Sequence, residues 1–109
     1  MMNPFEMSQM MKNWQGTMEK TKIQKEKIDA ALKSARVTAS SGAGMVEVTL
    51  DGMCGVQNVS ISETLLSPDN KSMLETLLAS AFSEAVRKAE ELREEEARKA
   101  VGELFGGIQ

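Results

Sequence analysis

The segment SGAGMVEVTLDG, residues 41–52, lies between two long charged segments and decides the fold. Gly42 and Gly44 flank a single alanine, which suits a tight turn whose backbone needs φ > 0. Over residues 45–51 hydrophobic and polar side chains then alternate, which is the pattern of a strand with one buried face. The segment therefore predicts a hairpin turn followed by a strand at the centre of the chain.

Two further strands are predicted on either side of this central strand. Residues 36–41 alternate in the same way, and so do residues 56–62, which follow a second glycine-containing turn. On the third strand Val59 and Ile61 are expected to face inward. Strands joined by short turns form an antiparallel meander, and such a sheet, here over 36–62, can leave one face open to water.

A long helix is predicted before the sheet, over residues 5–35, where Asn3 and Pro4 suit its start. Its apolar residues are spaced four, three and four apart, which is heptad spacing. They are Met7, Met11, Trp14 and Met18. A helix of about 30 residues is roughly 45 Å long, more than a three-stranded sheet can cover. Part of it is therefore expected to project as an arm or to pair with another chain.

A second long helix is predicted after the sheet, over residues 70–102, and a connector over 63–69 leads into it. Its first half carries an apolar face broad enough to cover a sheet, whereas residues 90–99 are almost all charged. Glycines suggest a flexible tail over 103–109. The sequence thus predicts an α+β fold, α-β-β-β-α, with an antiparallel three-stranded meander.

The composition limits both the size of the fold and its chemistry. A chain of 109 residues, 1–109, is predicted to form a single domain. The chain has no histidine and only one cysteine, Cys54, so a disulfide within the chain and a zinc site are both excluded. The first residues lack the basic start and apolar run of a signal peptide, and no apolar stretch is long enough for a membrane span. A location in the cytoplasm is therefore expected.

Catalytic motifs are not found. Gly42 and Gly44 resemble part of a phosphate-binding loop, but no helix and no third glycine follow at the required spacing. Cys54 has no histidine to activate it as a nucleophile. The carboxylates are spread over helix surfaces, with no spacing that pairs two of them in a pocket. The sequence predicts a protein that is not an enzyme and needs no cofactor or metal.

Charge is distributed unevenly along the chain, although the net charge is −3. Residues 1–36 contain seven basic and four acidic residues, whereas residues 37–69 contain four acidic residues and no basic ones. Positive charge is therefore confined to the helices. Two interpretations remain open: solvated helix faces, or projecting arms that contact phosphates. The candidate contacts are Lys12, Lys20, Lys22, Lys25, Lys27, Lys33, Arg87, Lys88, Arg93, Arg98 and Lys99.

Two motifs resemble those of a known family. The run SGAGMVEVT at residues 41–49, with Gly52 after it, resembles the central motif of the YbaB/EbfC family of bacterial nucleoid-associated proteins. The run MLETLLASAFSEA at residues 73–85 is similar to that family's last-helix signature, and the resemblance covers about residues 5–100.

The resemblance implies a homodimer shaped like tweezers, whose helical arms clasp double-stranded DNA in the cytoplasm and nucleoid. It implies roles in chromosome organisation or gene regulation, with the basic residues of the two helices as the DNA contacts. It implies no cofactor, no catalysis, no membrane and no small-molecule substrate. The chain departs from the family at residues 61–63, where Asp-Pro often follows the isoleucine, and in the acidic stretch 90–96, which opposes phosphate contact.

A second hypothesis is a protein-interaction or oligomerisation module that uses the Met-rich N-terminal helix. A methionine stripe usually packs in a core or an interface, and methionine-rich surfaces also bind varied partners. The net negative charge is consistent with this alternative.

Overall fold

The structure is a computed structural model that describes residues 3–105. Two long helices precede and follow three strands in the chain, and two short 3-10 turns join the last strand to the second helix. The elements are α1 (Pro4–Ser34), β1 (Val37–Ser41), β2 (Val46–Leu50), β3 (Val56–Ile61), the turns Glu63–Leu65 and Pro68–Asn70, and α2 (Lys71–Phe105). This order confirms the predicted α-β-β-β-α fold.

The helix α1 begins and ends at local signals in the sequence. Asn3 Oδ1 accepts a hydrogen bond from the backbone N–H of Glu6 at 2.8 Å, and Pro4 occupies the first turn. At the other end Arg36 Nη1 donates to the carbonyl oxygen of Lys33 at 2.9 Å. The bounds lie one residue before the predicted 5–35 at each end.

β2 is the central strand and pairs antiparallel with β1 and with β3. Its inward side chains, Val46, Val48 and Leu50, are almost completely buried. β2 is shorter than the predicted strand 45–51 because the preceding turn needs Met45, whose N–H donates to the carbonyl oxygen of Gly42 at 3.2 Å. The sheet therefore has a hydrophobic inner face and a polar outer face.

The first turn has the backbone that its glycines predicted. Gly42, Ala43 and Gly44 have φ values of 60°, 56° and 89°, all in the left-handed region. Glycine reaches this region at little cost, whereas alanine does not. The pair of glycines around Ala43 therefore keeps most of the turn free of strain.

α2 covers the inner face of β1 and β2. Ala81 and Ala85, one turn apart, are fully buried in the core formed with these strands. Ser41 Oγ donates to the carbonyl oxygen of Leu77 at 2.6 Å, which ties the end of β1 to the helix. The small alanine side chains let the helix approach the sheet closely.

The inner face of β3 is only partly covered: Ile61 packs against the core as expected, whereas Val56 and Val59 stay exposed. Val59 was expected to face inward, and its pairing with the buried Val48 does place it on the inner side of the sheet. However, Val59 is 39% exposed and Val56 is 57% exposed. The physical reason is that α2 lies over β1 and β2 and leaves most of the third strand beside it uncovered.

The bounds of α2 also differ from the prediction. The helix begins at Lys71 and continues to Phe105 instead of covering 70–102, so residues 103–105 of the predicted flexible tail are helical. Gly102 does not end the helix, because one glycine in a helix costs only about 1 kcal/mol. Residues 106–109 of the predicted tail lie outside the described residues.

The first part of α1 projects away from the sheet. The end of the helix is attached there, since the N–H of Gly52 donates to the carbonyl oxygen of Leu32 at 2.7 Å. Residues 24–31 then lie along residues 96–103 of α2. Residues 4–21 extend farther, and all of them except Gly16 are exposed. The chain is accordingly elongated, with a longest dimension of 78 Å.

Candidate nucleic-acid interface

The candidate basic residues of α2 are mostly engaged by other groups of the chain. Arg87 forms ion pairs with Glu84 and with Glu91, one helical turn away on either side. Lys88 Nζ donates to the carbonyl oxygen of Thr38 at 2.7 Å, which connects the helix to β1. These two cations therefore serve contacts inside the fold.

The ion pair between Arg87 and Glu84 shifts the pKa of both groups. The hydrogen bond from Arg87 lowers the pKa of Glu84, and the same hydrogen bond raises the pKa of Arg87 above its usual value. Two carboxylates surround one guanidinium, so the group as a whole is negative. To contact a phosphate, Arg87 would have to give up at least one of these partners.

The outer part of α2 is also poorly suited to a polyanion. Lys99 Nζ lies 3.5 Å from a carboxylate oxygen of Glu95 and 3.6 Å from one of Glu96. Arg93 shares a shallow groove with Glu90 and Glu94. Arg98 makes no ion pair within residues 3–105. Acidic side chains thus accompany most of the positive charge on this helix.

The six candidate lysines of α1 differ from those of α2. All are exposed, and none forms an ion pair with another residue of the part that the structure describes. They are Lys12, Lys20, Lys22, Lys25, Lys27 and Lys33. Exposed cations without an acidic partner are the side chains that can release counterions from DNA.

Helical geometry divides these lysines into groups. At 3.6 residues per turn, Lys20 and Lys27 lie on nearly the same side of α1, and Lys12 lies about 80° around the helix from Lys20. We call these three residues the basic face. Lys22 and Lys33 lie on another side of the helix. Lys25 lies instead on the side of the helix that carries Met11, Trp14 and Met18. The structure therefore brings three of the six lysines together.

The sheet offers no comparable surface. Residues 37–69 have no basic side chain, and Glu47 is exposed on the outer face of β2. Asp51 Oδ1 accepts from the backbone N–H groups of Met53 and Gly55, both at 2.8 Å. The bond from Gly55 contributes most to lowering the pKa of Asp51, so the turn holds a fixed negative charge.

The described residues form neither a metal site nor a membrane-spanning helix. Within residues 3–105, no three His, Cys, Asp or Glu side chains are placed to hold a metal ion. None of the helices described is long and apolar enough to cross a membrane. Cys54 is half-buried next to the hydrophobic core, with φ of 66°.

Arg87 and Lys99 were predicted as DNA contacts equivalent to the α1 lysines. The sequence nevertheless contains a signal that separates these paired cations from the unpaired lysines of α1. The spacing of Glu84, Arg87 and Glu91 at three and four residues was a signal for ion pairs on one helix face. Glu95 and Lys99 have the same kind of i,i+4 spacing, and that ion pair is present. The contact between Lys88 and β1 had no such signal.

Comparisons with known proteins agree in fold and in family. The sequence profile of the YbaB/EbfC DNA-binding family matches residues 2–104. A nucleoid-associated protein from Agathobacter rectalis is 40% identical over 77 residues, which are 71% of this chain and 68% of the relative. The crystal structure of an uncharacterized protein from Helicobacter pylori superimposes with a TM-score of 0.64 at 26% identity, covering 74% of this chain and 94% of that one.

Proposed function

The chain belongs to the YbaB/EbfC DNA-binding family, as its two motifs predicted, and from this premise we propose how it binds DNA. The proposed function is that of a non-enzymatic homodimer that clasps duplex DNA between helical arms. It acts in the nucleoid and cytoplasm, in chromosome organisation or gene regulation. Its main DNA contacts come from the basic face of α1 and not from α2.

The observation that carries this proposal is the difference in charge between the two helices. Lys12 and Lys20 project into solvent, and Lys27 lies at the groove between α1 and α2. None of the three forms an ion pair in the described chain, whereas Arg87 and Lys99 are paired with glutamates. Lys20 and Lys27 are seven residues apart, or about 10 Å along the helix axis. Two such lysines can contact separate phosphates of one DNA strand. Contacts of this kind position a protein on DNA without reading its sequence.

The homodimer is supported by the uncovered side of β3. Val56 and Val59 lie on the inner face of the sheet, next to the buried side chains of β2, and are nevertheless exposed. Burial of apolar surface contributes about 25 cal/mol per Å². A second copy placed against β3 would bury these valines and extend the small core of each chain. It would also supply a second arm.

A binding assay over a series of salt concentrations tests the function. Lys20→Glu and Lys27→Glu are compared with Lys71→Glu, which makes the same charge change at the start of α2, where Lys71 is paired with Glu75. For wild-type protein, log K should fall with log[salt] by about 0.9 per phosphate contact. We expect both α1 variants to bind more weakly and with a shallower slope, and Lys71→Glu to bind nearly as wild type.

Two results would contradict this proposal. If all three variants lost the same affinity, net charge and not the basic face would govern binding. If the wild type failed to shift duplex DNA even at low salt, the clasp would be wrong.

The second candidate function, a protein-interaction module, is favoured by the exposed Met11 and Trp14 on α1. A pull-down from lysate, with and without nuclease, distinguishes the two. Partners that survive nuclease treatment indicate protein contacts, and partners that disappear indicate association through DNA.

A further inference from the structure

An apolar seam follows the projecting part of α1. Met7, Met11, Trp14 and Met18 lie along one line of the helix, and their side chains are between 53% and 65% exposed. The same line passes the polar Thr21 and Lys25 and reaches Leu32, which is buried where α1 meets the body of the protein. The seam is thus the uncovered continuation of a face that the fold uses for packing.

Neither the seam residues nor the helix positions directly beside them carry a charge. In heptad terms the four seam residues occupy the core positions, and the positions beside them are those that usually carry charges in coiled coils. Here they are neutral: Ser8, Met10, Gln15 and Thr17. The charged residues of the same segment lie farther around the helix: Glu6, Lys12, Glu19 and Lys20.

We propose that the seam is a homotypic interface, in which residues 4–21 of α1 pair with the same residues of a second copy that belongs to another dimer. The two helices run antiparallel. In this register Met7 faces Met18 of the second copy, and Met11 faces Trp14. Four large apolar side chains from each helix then leave water together, which favours the pairing.

The lysines at the end of the seam decide the direction of pairing. A parallel pair would place Lys25, a core position, against Lys25 of the other copy. The antiparallel pair overlaps only from residue 4 to residue 21. Lys22 and Lys25 then lie beyond the end of the partner helix. Antiparallel pairing thus avoids like charges in the interface.

Pairing of the tips is compatible with DNA binding but does not depend on it. The basic face lies on the opposite side of α1 from Trp14, so it remains exposed in the paired state. About two heptads form a weak interface on their own. Molecules held side by side on DNA have a raised effective concentration, which strengthens a weak contact. The seam would therefore join neighbouring dimers into a cooperative assembly.

Trp14, the only tryptophan of the chain, reports on the interface directly. In DNA-free protein its fluorescence emission should shift to shorter wavelength as protein concentration rises, because pairing removes the indole from water. Met11→Glu should abolish the shift. Phe5→Glu is the matched control, since Phe5 is an exposed apolar residue on the other side of the same segment. It should keep the shift, and circular dichroism should show equal helix content in both variants.

Mass and crosslinking complete the test. By sedimentation equilibrium, wild type and Phe5→Glu should form a larger species at high concentration, and Met11→Glu should lack it. In a Cys54→Ser background, a mixture of Met11→Cys and Trp14→Cys chains should crosslink more than either variant alone.

Several results would overturn the proposal. A Trp14 emission that is blue-shifted at every concentration would mean that the seam is covered within one molecule or one dimer. An unshifted emission with no larger species would mean that copies do not pair there. Preferential crosslinking of Met11→Cys with itself would contradict the antiparallel arrangement. DNA affinity is measured separately, so a wild-type protein that binds DNA but does not pair at α1 contradicts this inference and leaves the proposed function intact.

Discussion

Gly52 joins the arm to the sheet at a single close contact. Its N–H donates to the carbonyl oxygen of Leu32 at 2.7 Å. A β-carbon on residue 52 would lie 2.8 Å from the same oxygen and 3.0 Å from the α-carbon of Leu32. Both atoms belong to the backbone, so they cannot move aside as a side chain could. Gly52 is therefore required by contact and not by backbone torsion.

The glycines of this chain should respond to alanine in opposite directions. Gly52→Ala should lower the free energy of unfolding by about 1–3 kcal/mol, because it crowds a packed joint. Gly16→Ala, in the exposed part of α1 with open space around it, should raise helix stability by up to about 1 kcal/mol. Urea unfolding followed by circular dichroism measures both. Equal effects would show that Leu32 is not in contact with the second turn.

Asp51 stabilises the turn between β2 and β3. Its carboxylate accepts from two backbone N–H groups and, at 3.2 Å, from Gln57 Nε2. The pKa of Asp51 is lowered from its ordinary value of 3.8, chiefly by the N–H of Gly55. A lowered folded-state pKa means that the stabilisation is present above the unfolded-state pKa and is lost as pH falls through the folded-state pKa.

Asp51→Asn should therefore have an effect that depends on pH. At neutral pH the variant should be less stable than wild type, because it loses the charged acceptor. The difference should shrink as the pH is lowered below about 4, where the wild-type carboxylate begins to be protonated. Glu47→Gln, which removes an exposed carboxylate of β2 outside this turn, is the control. Urea unfolding at several pH values is the measurement, and a constant difference would contradict the role of the turn.

The elements of this fold differ in how completely their apolar faces are used. The inward side chains of β2 are buried, whereas β3 leaves Val56 and Val59 exposed on its inner face and α1 has an uncovered seam. An uncovered strand at the edge of a sheet favours pairing with another molecule. These two surfaces lie on different elements, so the protein can make two separate contacts between copies.

Val59→Glu should convert the protein from a dimer to a monomer. The side chain is already partly exposed, so the substitution should leave the fold of the single chain intact while placing a charge in the proposed interface. Light scattering at low concentration should give 11.9 kDa for the variant and twice that mass for wild type. Asn58→Glu, on the outer face of the same strand, should remain dimeric. A wild type of 11.9 kDa would refute the dimer itself.

At the scale of the whole molecule, the chain is far from spherical. Its radius of gyration is 22.2 Å for the α-carbons, whereas a compact domain of this length has about 13 Å. The extra length comes from the long helices, and it places the basic face of α1 away from the acidic sheet. The shape therefore separates the surface proposed for DNA from the surface that repels it.

Small-angle scattering of the monomeric Val59→Glu variant checks this shape. We expect a radius of gyration near the 22.2 Å of the structure, slightly increased by hydration. The reason is that nothing in the described chain folds back onto residues 4–21. A value close to that of a compact domain would mean that the arm packs against the body in solution.

The sequence by itself determined the order of the elements, the first hairpin turn and the cap at Asn3. These features depend on neighbours within a few residues, and their signals are local. It also carried the two motifs that identify the family. The dimer and the DNA contacts remain predictions, because they involve other molecules.

Only the tertiary structure decided which side chains are covered and which charges are compensated. Val59 and Val48 have the same pattern in the sequence, but α2 crosses the sheet over one and not the other. Lys88 is held by the carbonyl oxygen of Thr38, 50 residues earlier in the chain. Burial and pairing of this kind depend on where a distant helix lies. Local periodicity says which side of an element is apolar, but not whether another element covers it.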